Sequence, residues 1–473
     1  MDTFEDKRVL VVGLARSGLA AVSFLRRRGA VVTVTDRLPE AELGAAVEQA
    51  RRLGCSLALG GHPQELFTGA ELIVLSPGVP LDLPELVAAR SRGVPVTGEF
   101  ELACRHLSLP MVAVTGTNGK TTTTSLIGEM LKRSGRSVFV GGNIGSPLIR
   151  LLEETQIPEL AVVEVSSYQL DIMETFHPRV AVLLNITEDH LDRYPSFDAY
   201  VASKCLLFAR QTEEDVAVLP AEDPLIMGRC APRSRRLLFS RHRRSADAYL
   251  KGNRLVRRGA GGEIRSYDLG GWQLAGHHNL ENLLAAVLAA TAVGASPEAV
   301  QGTINEFRGL PHRLELVHQW RGVRFYNDSK GTNVDAVVRS LESFTEPIVL
   351  IAGGRDKGGS YGPLVPLVRD RVKMLVLMGE SRFLMAKALG HLTCTVVVET
   401  MGDAVQMAIR AAGPGDVVLL SPACSSFDLY QNYAARGYHF RCLVHELTAD
   451  QARNTSACSG PWTVADTPGG RRS

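Results

Sequence analysis

Three times along this chain a short apolar run ends in a glycine-rich loop and passes into a helical pattern: VLVVGLARSG at 9–18, MVAVTGTNGK at 111–120 and IVLIAGGRDKGG at 348–359. An unbroken run of branched aliphatic residues reads as a strand buried on both faces, the kind found in parallel sheets covered by helices. The fold class that follows is α/β, with doubly wound, mostly parallel sheets, one in each third of the chain. Length agrees, since 473 residues is about three domains of roughly 150. One boundary is expected near Thr97 to Leu102, after the strand-like GVPVTGE, and a second at the turn residues Gly309 to Pro311. The domains are then 1–100, 101–309 and 310–450, and the aperiodic residues 451–473 are expected to form a mobile tail.

Composition narrows the function classes. With 45% hydrophobic and 22% charged residues the chain is globular, and wholesale disorder is excluded. Its 52 basic and 50 acidic residues leave a net charge of +2, which gives no global argument for a nucleic-acid or membrane partner. The charged start MDTFEDKR is unlike a secretory signal, and the longest nearly apolar stretch, residues 283–295, falls short of the roughly 20 residues a membrane span needs. A cytoplasmic protein is expected. Its eight cysteines include no CxxC pair, so neither a zinc site nor a disulfide framework is expected. Residues 229–265 hold twelve Lys or Arg against two acids. Lacking interleaved aromatics for base stacking, they read as solvated hairpins at the edge of the middle sheet.

The strongest chemical signal is VAVTGTNGKTTTT. Gly116, Thr117, Asn118 and Gly119 form a loop whose backbone amides can close around phosphate oxygens. Lys120 supplies a cation for the β and γ phosphates, and Thr121, followed by Thr122, offers a hydroxyl to Mg²⁺ at the helix start. The pattern departs from the full Walker form, because Val114 stands where its first glycine belongs. Downstream, AVVEVSSYQL places Glu164, and VLLNITEDHLDRY places Asn185, Glu188, Asp189 and His190, after further apolar strands. Polar groups at strand ends collect at the ligand-binding edge of a parallel sheet, so these belong beside Lys120, where a carboxylate and an imidazole can complete the shell of one or two Mg²⁺ ions.

TGTNGKTTT, GGNIG, EVSSYQL, NITEDHLDRY, GHHNLEN, LPHR, NDSKGTN and LSPACSSFDLYQNYAARG occur in this order. In this the chain resembles the Mur ligases, the ATP-dependent family that adds amino acids to the peptidoglycan precursor, and within it the D-glutamate-adding branch, over about residues 8–447. The resemblance implies three Rossmann-like domains: one for a UDP substrate, a central P-loop domain for ATP, and one for the incoming amino acid. It implies that Lys120 and Thr121 hold ATP phosphates and magnesium, that Glu164 and His190 serve Mg²⁺, with two ions expected, and that Lys204 is carbamylated and joins the metal site. Asn282, Arg313 and Asp328 match ATP contacts. Ser17, Asp36 and Arg37 match the uridine end of UDP-N-acetylmuramoyl-L-alanine, with Asn143, Gln169 and His190 nearer its reacting carboxylate. Lys330, Thr332, Lys357, Ser426 and Tyr433 match contacts to D-glutamate, Tyr433 standing where the family pattern has Phe. The implied protein is a monomer with no nucleic-acid or membrane partner.

Three alternatives need separating. GLARSG with Asp36 some 18 residues on imitates a dinucleotide fingerprint, but it is GxxxxG, and Ser76-Pro77-Gly78 suits a uridine diphosphate at the same edge. A P-loop ATPase driving a conformational switch would use the middle third alone. An anion-binding module built on 229–265 leaves the strand-end residues of all three thirds unexplained. Sister Mur enzymes and folylpolyglutamate synthetases share the P-loop, so the amino acid is the less constrained part, although the DNPR motif of the diamino-acid-adding branch is absent.

Overall fold

The computed structural model describes residues 4–190, 193–356 and 358–457. It divides into two compact units, Met1–Arg308 and Gly309–Ser473. The first unit holds two sheets. Strands β1 (Arg8–Val12), β2 (Val31–Asp36), β3 (Ser56–Leu59), β4 (Leu72–Leu75) and β5 (Val96–Gly98) form an all-parallel sheet in the order β3-β2-β1-β4-β5. The chain enters helix Arg16–Arg27 directly from β1, and a Cβ on Gly18 would lie 1.9 Å from the carbonyl oxygen of Gly13. Only glycine permits this close approach of helix to loop.

The second sheet runs β14-β13-β12-β11-β10-β9-β6-β8-β7. Its strands are β6 (Met111–Thr115), β7 (Val138–Gly142), β8 (Leu160–Glu164), β9 (Val180–Leu183), β10 (Val216–Pro220), β11 (Arg235–Ser240), β12 (Ala248–Lys251), β13 (Arg254–Arg258) and β14 (Ile264–Asp268). Strands β6, β8 and β9 are buried along their whole length, as unbroken apolar runs require, with helices Lys120–Arg133 and His277–Ala292 packed in the core on one face. The basic segment forms the outer edge: β11 is parallel to β10, and only β12, β13 and β14 make the antiparallel hairpins expected there. Arg235, Arg236, Arg254, Arg258 and Arg265 are exposed on it.

In the second unit, β15 (Glu315–Trp320), β16 (Val323–Asn327), β17 (Ile348–Gly353), β18 (Val372–Met378), β19 (Cys394–Val397) and β20 (Val417–Leu420) make a sheet in the order β15-β16-β20-β17-β18-β19. It is parallel except for the β15–β16 pair.

Two expectations are corrected. Cys205 and Cys230 are joined as a disulfide, with Cα atoms 5.6 Å apart, because the end of helix Phe197–Cys205 meets the end of helix Pro224–Arg229, a proximity that their 25-residue separation conceals. The last helix, Tyr433–Ala457, continues seven residues into the segment expected to be tail. Alanine, glutamine and arginine there are good helix formers despite the missing apolar stripe. Among the described residues no helix is long and apolar enough to cross a membrane.

Candidate active site

The centre of the first unit's chemistry lies at the carboxyl ends of β6, β8 and β9, where the register sets Val114 beside Glu164 and Thr115 beside Leu183. The loop from Gly116 to Gly119 leaves β6 and is held by the segment after β9. Thr117 N–H donates to Asn185 O at 2.9 Å, Asn118 N–H to Asn185 Oδ1 at 2.8 Å, and Thr117 Oγ1 to Thr187 O at 3.2 Å. Gly119 has φ +85°, and a Cβ there would stand 2.2 Å from Oδ1 of Asn282, which helix His277–Ala292 presses against the loop. Glycine is therefore fixed both by backbone conformation and by space. Lys120 folds back over the loop, its Nζ donating to Gly116 O at 2.8 Å and Thr117 O at 2.7 Å.

Thr121, Glu164 and Asn143 form one row. Thr121 Oγ1 donates to Glu164 Oε2 at 2.6 Å, and Asn143 Nδ2 donates to Oε1 at 2.8 Å, so the carboxylate is held from both sides. Thr122 is buried in the same helix turn. Gln169, expected near a substrate carboxylate, closes a capping box with Ser166, its Oε1 accepting Ser166 N–H at 3.0 Å, and so starts the short helix Ser167–Leu170 just past Glu164.

Lys204 is 1% exposed, which no spacing argument anticipates for a lysine. Its Nζ donates to Gly116 O at 2.9 Å and lies 4.6 Å from the ring centre of Tyr200. Burial, reinforced by the Lys120 ammonium, holds its pKa well below the usual lysine range. Tyr200 shares a 3.2 Å hydrogen bond with Thr117 Oγ1, and burial pushes its phenol up, so it stays protonated. Sequence reasoning missed this tyrosine. Its signal was position, four residues before Lys204 and hence on the same helix face. His190 adopts φ +57°, with its ring 5.0 Å from that of Tyr168 and 6.2 Å from that of Tyr200.

Beside this centre, the first sheet gathers its own loops. Asp36, at the end of β2, accepts Leu14 N–H at 2.7 Å and Leu38 N–H at 2.9 Å, and Ser76 Oγ, after β4, donates to Gly13 O at 2.9 Å. Ser17 lies in the first turn of the following helix, half-buried, and Arg37 is exposed. Two arginines link these loops to the central ones. Arg16 donates to Gly145 O at 2.6 Å and Arg193 to Gly78 O at 2.7 Å.

In the second unit, Asn327 and Ile351 both register with Leu420, so the loops after β16, β17 and β20 share one end of the sheet. Asp328 is buried and accepts from Ser340 Oγ and Ser421 Oγ at 2.7 Å each, yet burial still pushes its carboxyl up to about 6. Lys330 Nζ lies 4.0 Å above the ring of Tyr433, so the aromatic platform is present with Tyr at that position. Thr332 belongs to the same loop, its N–H donating to Lys330 O, and Ser426 is buried after β20. Arg313 is half-buried in the turn before β15. Lys357 lies outside the described residues. Arg436, unnoticed in the sequence although it stands in YQNYAARG, knits this end together. It is buried and donates to Ser329 Oγ and O and to the carbonyls of Cys424 and Ser425, and burial lowers its pKa to about 10.

No three His, Cys, Asp or Glu side chains among the described residues cluster as a ready metal cage. The Thr121 hydroxyl and the well-held Glu164 carboxylate at the end of the glycine-rich loop are instead oxygen donors of the kind Mg²⁺ takes, an ion that keeps waters and phosphate oxygens in its shell.

Family models described as the Mur ligase MurD-like N-terminal domain, the Mur ligase middle domain and the Mur ligase glutamate ligase domain match residues 7–98, 114–290 and 312–424. The chain is 48% identical over 451 residues to the UDP-N-acetylmuramoylalanine--D-glutamate ligase of Geotalea daltonii, covering 95% of this chain and 99% of that one. It is 48% identical over 452 residues to the enzyme of the same name from Desulfosudis oleivorans, covering 95% and 98%. Its fold resembles that of the UDP-N-acetylmuramate-alanine ligase of Thermotoga maritima, with a TM-score of 0.60 at 21% identity over 94% of this chain and 99% of that one. The MurF ligase of the same organism, solved with ADP, gives a TM-score of 0.59 at 16% identity over 94% and 96%. With three consecutive family models and near-complete coverage at 48% identity, the chain belongs to the Mur ligase family.

Proposed function

We propose that this protein joins D-glutamate to UDP-N-acetylmuramoyl-L-alanine in an ATP-dependent, ADP-forming reaction of peptidoglycan precursor synthesis. The observation that carries the reading is the row of Lys120, Thr121, Glu164 and Lys204 at one sheet edge, in a chain nearly half identical to ligases of that name. A carboxylate does not yield to an amine at neutral pH, because oxide is too poor a leaving group. Transfer of the γ-phosphoryl group to the alanyl carboxylate oxygen releases ADP and gives an acyl phosphate. The glutamate amine then attacks the acyl carbon, phosphate leaves, and the nitrogen loses a proton to give the amide.

The loop amides of residues 116–119 and Lys120 would draw the phosphate oxygens in, and Lys120 would exchange its present carbonyl partners for them. Thr121, Glu164, His190 and Lys204 as a carbamate would hold Mg²⁺, which neutralises charge on the transferring phosphoryl group. Asn143 orients the Glu164 carboxylate. Carbamylation adds CO₂ to the neutral Lys204 amine with loss of one proton; counted from the ammonium two protons leave, and a cation becomes an anion. Burial beside Lys120 favours the neutral amine that this addition requires. Asn282, Arg313 and Asp328 are assigned to ATP from the family resemblance. Ser17, Asp36 and Arg37 are assigned to the uridine end of the acceptor, and Lys330, Thr332, Lys357, Ser426 and Tyr433 to the two carboxylates and the chain of D-glutamate. Two separated anchors let only one enantiomer aim its amine at the acyl phosphate. The reading extends to a monomeric, cytoplasmic enzyme.

The test is the amino-acid dependence of phosphate and ADP release by purified protein with ATP and the muramoyl acceptor. D-glutamate should be required. Comparable turnover with L-glutamate, meso-diaminopimelate or D-alanine would place the chain in another branch, and formation of AMP and pyrophosphate would refute the acyl-phosphate route. Rapid ATP hydrolysis independent of both substrates would favour a P-loop switch.

A further inference from the structure

Resting on the substrate reading above, we infer that Arg193 is a positioning residue that transmits occupation of the uridine diphosphate loops to His190. Its side chain and backbone face two ways. On one side its guanidinium donates to the carbonyls of Gly78 at 2.7 Å, Pro77 at 3.5 Å and Val79, the turn that follows β4. That turn is closed by Val79 N–H on Ser76 O and braced on the Gly13 loop through Ser76 Oγ. On the other side the same guanidinium stacks 4.2 Å above the ring of Tyr168, which meets the His190 imidazole edge-on. The backbone adds a second link, since Arg193 N–H and Tyr194 N–H both donate to His190 O, at 3.0 and 3.1 Å, and so help to hold that residue in its left-handed conformation.

The geometry suits transmission. In a trans peptide the C=O and the N–H point opposite ways, so turning the Pro77 and Gly78 carbonyls toward Arg193 turns the next amides away from it. A ligand that engages the turn must therefore work against, or with, the arginine fork. Arginine is suited to the task, because a rigid planar donor set can serve three carbonyls and an aromatic face at once. A non-glycine residue at φ +57° costs energy and persists only where its surroundings enforce it, so a small shift of the Arg193 anchor reaches the imidazole. Such a link is how binding energy from the remote nucleotide can be used at the reacting carboxylate, where a misplacement of about 1 Å costs on the order of 100-fold in rate.

The experiment uses the full chain labelled with ¹⁵N-histidine, with UDP alone as the probe. In the wild type, UDP should shift the His190 imidazole resonances, assigned by their loss in His190→Asn. In Arg193→Ala, UDP should still bind within about fivefold by calorimetry, but the His190 shift should fall to less than a quarter. Arg193→Lys, which keeps a donor to the turn, should lie between them and replaces Arg193→Ala if that variant does not fold. With the complete acceptor and D-glutamate, Arg193→Ala should lower kcat by roughly 10- to 100-fold with KM for ATP nearly unchanged. An undiminished His190 shift in both variants, or UDP binding to wild type with no shift, overturns the coupling and leaves the ligase reading intact. Failure of UDP to bind wild type at all would count against the substrate reading itself.

Discussion

Lys204 is the residue whose surroundings say most about its chemistry. A buried ammonium 2.9 Å from a carbonyl and close to a second lysine has lost its water and meets repulsion from Lys120, whereas its carbamate would turn that repulsion into attraction. Lys204→Ala should lose most turnover while keeping ATP affinity, and acetate should restore part of it by supplying the missing carboxylate. Lys204→Arg should be equally poor, because a guanidinium keeps the positive charge and does not carbamylate. Wild-type-like rates in Lys204→Arg would remove the carbamate from the mechanism. Tyr200 makes a separate prediction. Tyr200→Phe keeps the ring and loses the hydroxyl that fixes Thr117, at a cost of about 1 kcal/mol, and KM for ATP should rise several-fold with kcat little changed. Steady-state kinetics at varied ATP decide it.

At the scale of elements, the helix Phe197–Cys205 carries Lys204 and Tyr200 and is only nine residues long, too short to be stable without its ends and its packing. Its start is fixed by Ser196, whose Oγ accepts Ala199 N–H at 3.2 Å, and its end by the disulfide at Cys205. Ser196→Ala should cost about 1 kcal/mol in denaturant unfolding. It should also weaken catalysis more than an equal destabilisation placed in the helix Pro297–Glu306, for instance by removing its Ser296 cap, because of the two only the helix Phe197–Cys205 holds site residues. Equal losses of activity in the two variants would show that helix register does not matter to the site.

At the scale of the whole molecule, pH enters through a carboxyl group remote from the chemistry. Glu99 is buried at the start of helix Glu99–His106, where its Oε1 accepts the Ile149 N–H at 2.9 Å, and burial pushes its pKa from 4.5 to about 7. A group that holds its proton more tightly folded than unfolded makes the fold less stable as pH rises, here between about 4.5 and about 7. Glu99→Gln keeps the acceptor and removes the charge. It should raise stability at pH 8, by at most about 3 kcal/mol, and the gain should vanish near pH 4. Thermal melts of both proteins at the two pH values measure it, and an equal shift at both would exclude the ionisation of Glu99 as its cause.

The sequence by itself determined a good deal here, because parts of it act locally. Unbroken apolar runs allow little besides buried parallel strands, and a glycine-rich turn between such a strand and a helix turns backbone amides outward wherever it is placed, so the three sheets and the Gly116–Gly119 loop were legible from residue order. Strand-end positions likewise pointed Glu164 and Asn185 to the edge where they lie, since the ends of neighbouring parallel strands coincide. What depends on chains meeting after many intervening residues was not legible. Nothing local marks Cys205 for Cys230, Gly119 for Asn282, Arg436 for the carbonyls of Cys424 and Ser425, or Arg193 for the turn at Pro77 to Val79. The burial of Lys204 was decided the same way. A lysine in a short helix is solvated unless the rest of the fold closes over it, and only tertiary packing against Tyr200 and the loop at Gly116 removed its water and made its charge state a matter of the site.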